Sequence, residues 1–108
     1  MSHPSPSTTL GKWRITEADL WGADYLDMME PAFIKFRPGG RGEFKFGCVI
    51  ASLKSEYSPT TAHFNWHGFD EMEEVSGDGF AECVDDGPLE LEISFHNGDD
   101  AALRARKW

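Results

Sequence analysis

Apolar and polar residues alternate one for one along most of this chain, and turn-forming residues interrupt the alternation roughly every 8 to 12 positions. That rhythm predicts an all-β, antiparallel fold. The first run, Leu10 to Asp19, sets Trp13 and Ile15 on one face and Lys12, Arg14 and Thr16 on the other. Between Leu20 and Met29 the period changes, with Trp21, Tyr25 and Met28/Met29 at helical spacing, so a short helix is expected that ends before Pro31. Ala32–Arg37 is a second strand, closed by the glycine-rich reversal Pro38–Gly42. A long third strand is expected from Glu43 to about Lys54, with Phe44, Phe46, Cys48 and Ile50 in phase and a bulge or bend at Gly47.

The fourth strand, Ala62–Gly68, points Ala62, Phe64 and Trp66 inward and His63, Asn65 and His67 outward. Asp70–Glu74 is either a helical turn or a solvated loop. Gly77-Asp78-Gly79 then leads into a fifth strand, Phe80–Val84, with either face acceptable inside. After a turn at Asp85–Pro88, the sixth strand has Leu89, Leu91, Ile93 and Phe95 on one side and Glu90, Glu92, Ser94 and His96 on the other. Asn97-Gly98 is a hairpin signal, and the last strand carries Leu103 and Ala105 inward with Arg104 and Arg106 outward.

Seven strands result, or eight if the third bends at Gly47, all joined by connections short enough for hairpins. A meander leaves two unpaired edges unless its ends join, so pairing of Gly11–Thr16 with Leu103–Arg106 closes the sheet into a barrel. A barrel of about eight strands is filled by side chains or holds one small ligand. Eight Phe and four Trp favour filling. Residues 1–9 form a loose tail and residues 10–108 a single domain.

Charge narrows the partners. With a formal net charge of −9, the average surface repels phosphate backbones and anionic membranes. The carboxyl-terminal Arg104, Arg106, Lys107 cluster is the strongest exception. Neither a signal peptide nor an apolar run of the roughly 20 residues needed for a membrane helix is evident. A cytoplasmic protein with two reduced thiols, Cys48 and Cys83, is the expectation.

Gly11-Lys12-Trp13 resembles the Gly-x-Trp opening of lipocalins and related calycin barrels. That resemblance implies a Trp sealing one barrel end with an Arg of the last strand, Arg104 or Arg106, packed across it, and a plug formed by the helix around Trp21–Met28. The chain is also similar to small uncharacterised bacterial proteins that share stretches like Gly11–Ile15, Phe69–Met72 and Phe95–Asp100. That likeness implies no activity.

Candidate chemistry is sparse. His63 and His67 share a strand face but lie about 13 Å apart along it, too far to bind one metal. Asp70–Glu74 with Asp78 lacks calcium-loop spacing, Pro38–Gly42 lacks the residues of a phosphate loop, and no serine sits in a nucleophile elbow. No cofactor or metal is therefore expected. Three roles remain. One is a protein-interaction module or homodimer, docking through Val49, Leu53, His63, Asn65, His67 and Phe69. The second is a carrier of a small apolar ligand, lined by Trp13, Phe36, Phe44, Phe46, Phe64 and Trp66. The third is an enzyme using His63 or His67 with Glu82 or Asp70 as general base. The non-enzymatic interaction role leads.

Overall fold

The structure, a computed structural model, describes residues 8–83, 87–96 and 98–108. Its strands are β1 (Gly11–Ala18), β2 (Phe33–Phe36), β3 (Arg41–Phe46), β4 (Val49–Tyr57), β5 (Thr61–Asp70), β6 (Glu73–Cys83), β7 (Leu89–Phe95) and β8 (Asp100–Lys107), with one helical turn, α1 (Ala23–Leu26), after β1. Each strand pairs antiparallel with the next, and β8 returns to β1, so the sheet is a closed eight-stranded barrel. At the seam Trp13 faces Lys107, Arg14 faces Arg106 and Ile15 faces Ala105. A register shift between Ile15 and Glu17 then places Glu17 opposite Arg104.

The expected long third strand is two strands. Gly47 takes a φ of +55°, and Gly47-Cys48 form a two-residue turn in which Phe46 pairs with Val49. Both of those residues point inward. A continuous strand would keep even-numbered residues inside, but the turn inverts the parity, so Val49, Ala51 and Leu53 are buried while Ile50 is exposed. Cys48 lies in the turn and not in phase with the core.

The acidic segment is neither helix nor loop. Asp70 ends β5, Glu73 begins β6, and Glu71-Met72 make the reversal between them, with Glu71 at a φ of +58°. β6 is consequently longer than the expected Phe80–Val84, and Gly77 and Gly79 sit within it. Its inward face is settled too: Ala81 and Cys83 are buried. The helix is shorter than its apolar spacing suggested, since Met28 and Met29 lie beyond α1 and are exposed. Thr8 and Thr9, assigned by pattern to the tail, are tied to the barrel: Thr8 N–H donates to the Pro59 carbonyl at 2.8 Å and Thr9 is buried. The rest of that tail, Val84, the Asp85-Asp86 half of one turn and Asn97 of the last hairpin lie outside the described residues.

The core alternates large and small side chains across neighbouring strands. Phe36 faces Gly42, Phe44 faces Ala51, Trp66 faces Gly77 and Phe64 faces Gly79. A Cβ on Gly79 would strike the Phe64 ring, and one on Gly77 would strike the Ser94 carbonyl oxygen and lie 2.9 Å from Trp66. Those glycines supply the room into which the rings lean, as interdigitation in a narrow barrel requires.

Candidate functional site

The six aromatic residues expected to line the interior all point into it and are buried. They pack on one another. Phe44 stacks on Phe46 with centroids 5.4 Å apart and meets Trp66 edge-on at 5.3 Å, while Phe36 packs against Phe64 at 5.8 Å. Ser55, opposite Phe64, is the polar side chain in this layer, and its buried hydroxyl makes no hydrogen bond among the described residues.

Both barrel ends are stoppered. At one, Trp21 packs on Phe46 at 5.0 Å and on Phe95 at 6.3 Å, and it stacks with Tyr25 at 5.8 Å. The Tyr25 ring passes so close to Gly47 that any side chain there would strike it. Burial pushes the Tyr25 hydroxyl above its ordinary pKa, and the charges of Asp70, Cys48 and Glu71 push the same way against a lowering hydrogen bond to the Cys48 backbone.

At the other end Trp13 donates its indole N–H to the Thr9 carbonyl at 2.8 Å. Lys107, not Arg104 or Arg106, places its cation across the Trp13 ring, with Nζ 4.7 Å from the centroid and donating to the Leu10 carbonyl at 2.9 Å. The reason is parity: Lys107 is in phase with the inward Leu103 and Ala105, whereas the two arginines point out. Arg104 reaches Glu17 at 3.2 Å and Glu90 at 3.9 Å. Gly11 makes this arrangement sterically allowed. Its φ is +114°, and a Cβ would fall 2.5 Å from Lys107 Nζ.

On the outer surface, rows cross the strands. Glu56, His63, Phe80 and Glu92 form one, Lys54, Asn65, Asp78 and Ser94 the next, then Ser52, His67 and Ser76, then Lys45, Ile50, Phe69 and Glu74. Of the expected interaction face, His63, Asn65, His67 and Phe69 are therefore exposed together. Val49 and Leu53 are not, at 1% and 4% exposure, because of the inverted parity of β4. Ile50 takes their place opposite Phe69, at 54% and 49% exposure, and Met72 at the nearby hairpin tip is 97% exposed. Ile50 was hidden from sequence reasoning because it scans in phase with Phe44 and Phe46. Met72 was hidden because one Met in an acidic run carries no pattern.

His63 stacks over Phe80 at 4.7 Å, and His67 Nε2 lies 3.3 Å from the Glu74 carboxylate. Neither is brought to Glu82 or Asp70 in the strand register, where Glu82 faces Thr61 and Glu90 and Asp70 faces Glu73 and Val49. His96 sits one strand farther off, its Nδ1 3.2 Å from the Ser76 hydroxyl. Cys48 is a free thiol in the β3–β4 turn, and the Cys83 thiol donates to the Gly87 carbonyl at 3.5 Å. The Cys48 pKa is raised, first by desolvation and then by the Glu71 carboxylate it bonds, which disfavours the thiolate. Among the described residues no three His, Cys, Asp or Glu side chains converge as metal ligands. Nor is any helix among them long and apolar enough to cross a membrane.

No protein-family model, curated protein or solved structure matches this chain.

Proposed function

We propose that this protein is a non-enzymatic binding module that pairs with a second copy of itself through the outer face of β4 and β5. One observation carries the reading: Ile50 and Phe69, directly opposite each other on neighbouring strands, are both half exposed, with fully exposed Met72 at the adjoining tip. Large apolar side chains grouped on a surface usually mark contact sites. The row containing them is self-complementary. It runs from Lys45, which also holds Glu30 at 3.0 Å, through Ile50 and Phe69 to Glu74. A two-fold axis between Ile50 and Phe69 sets Lys45 of each copy against Glu74 of the other, as an isologous interface demands.

A calycin relationship is part of the same reading, supported by the closed strand order and by Gly11 and Trp13. A cytoplasmic location draws on the free thiol of Cys48. The alternative of a ligand in the lumen draws on the unpartnered Ser55 hydroxyl, but such a ligand must part rings that now touch. Sedimentation velocity from about 10 μM to about 1 mM, the range of weak association, tests the proposal. Wild type should dimerise, and the double variant Ile50→Glu, Phe69→Glu should remain monomeric with an unchanged melting temperature. Wild type that stays monomeric throughout would defeat it.

A further inference from the structure

Charge is unevenly shared around the barrel. The four adjacent strands β8, β1, β2 and β3 carry eight Lys and Arg against three carboxylates, whereas β4 to β7 carry one against eight. The net charge of −9 is therefore an average that this side of the molecule does not share.

Strand register sharpens the partition at one spot. Lys12 stands directly opposite Lys35 on β2, and Arg14 directly opposite Arg106 on β8. Like charges paired across strands cost stability, and such local rules are broken chiefly where function requires it. With 19 acidic residues against 10 basic ones, an acidic pair such as Glu82 and Glu90 follows from numbers alone, but two neighbouring basic pairs do not. Nor are the two lysines neutralised. Asp27 is taken by Arg14 at 2.8 Å, and Glu43, across from Lys35, is taken by Arg37 at 2.7 Å. Among the described residues no carboxylate lies within 4.0 Å of the Lys12 or Lys35 cation.

Aromatic rings interleave these charges. Lys12 Nζ sits 4.2 Å from the Trp108 ring centroid and 4.8 Å from that of Phe33. Trp108 nonetheless keeps 55% of its surface in solvent, and it borders a hollow of about 170 Å³ shared with Arg14 and Arg106. Cations in a strip beside an open indole are what proteins use to hold single-stranded nucleic acid, phosphates on the charges and a base on the ring. A duplex hides its base faces, and a broad anionic surface would also meet Glu17 on β1 and Glu43 on β3.

We infer that the outer face of β1 and β2 binds single-stranded nucleic acid, with phosphates on Lys12 and Lys35 and a base stacked on Trp108. Ile50 and Phe69 lie on β4 and β5, so this binding does not depend on dimerisation.

The test titrates the full chain into fluorescein-labelled oligothymidylate of about 12 nucleotides, within the usual range of site sizes, following anisotropy and tryptophan quenching. Wild type should bind saturably, and its affinity should fall about fivefold or more between about 50 mM and about 200 mM salt. The double variant Lys12→Glu, Lys35→Glu should bind about tenfold more weakly or worse, and Trp108→Ala about fivefold, with melting unchanged. Lys35→Gln alone, which disturbs neither ring contact of Lys12, should still lose about threefold. An abasic strand of the same length should bind about fivefold more weakly than oligothymidylate. The inference is overturned by no saturation at low salt, by variants that bind like wild type, or by an abasic strand held as tightly as oligothymidylate. Equal binding of duplex DNA, of polyglutamate or of vesicles of equal parts phosphatidylcholine and phosphatidylserine would overturn it in favour of a general polyanion surface.

Discussion

Gly77 and Gly79 decide how the interior is filled. In a linear reading glycines flanking an aspartate signal a turn, yet both lie in mid-strand on β6, facing Trp66 and Phe64. Glycine ordinarily weakens a strand, and here that loss is offset by the ring each one admits. Gly79→Ala would drive a methyl into the Phe64 ring and set it 2.8 Å from the Glu92 carbonyl oxygen. We expect it to lower stability in urea by about 1–3 kcal/mol, the usual penalty of overpacking. Phe64→Leu should relieve part of that loss in the double variant, so the two changes will cost less together than their sum. Strict additivity would refute the account. What was legible at this scale was the inward direction of Phe64 and Trp66. What was hidden was the space they need, because the partner residue is a missing side chain on another strand.

At the scale of elements, α1 and the Trp21 just before it act as a stopper, with Leu26 of α1 buried in the core. Trp21 covers Phe46 and Phe95 and Tyr25 stacks on Trp21, whereas Met28 and Met29 remain in solvent. Helical spacing of apolar residues was visible, but a single turn suffices to place two rings, and a four-residue helix has no stability apart from those contacts. Since Tyr25 titrates higher in the folded state than the ordinary value of 10.0, the fold favours its neutral form. The associated stability is therefore fully present below pH 10 and declines as the pH rises through the folded-state value. Stability followed by fluorescence from pH 8 to pH 12 should fall more steeply above about pH 10 in wild type than in Tyr25→Phe. Identical profiles would show that the hydroxyl is not held in the stopper as described.

Across the whole molecule, a −9 charge is wrapped around a small barrel whose outward strands bring carboxylates close. The self-repulsion opposes the compact state, and added salt screens it over a Debye length of about 10 Å at 0.1 M. Exposed pairs such as Arg37–Glu43 and Arg104–Glu17 weaken under the same screening, but such pairs contribute little. Raising sodium chloride to about 0.5 M at neutral pH should therefore increase the melting temperature. A decrease would mean that the surface ion pairs outweigh the net repulsion.

By itself the sequence determined the class of fold, the places where most strands run and the closure of the sheet. These follow from alternation and turn chemistry, which act over neighbouring residues, and from the need of two complementary edge strands to be paired. The tertiary structure decided three further matters. It set the inside and outside of β4, where the two-residue Gly47-Cys48 turn reverses the parity. It chose Lys107 over Arg104 and Arg106 to cover Trp13, because the seam register is fixed only when β1 and β8 meet. It also gathered carboxylates from separate strands into shared hollows, such as Glu56, Asp78 and Glu92, since the distance between side chains on different strands depends on how the whole barrel closes and not on any local stretch of chain.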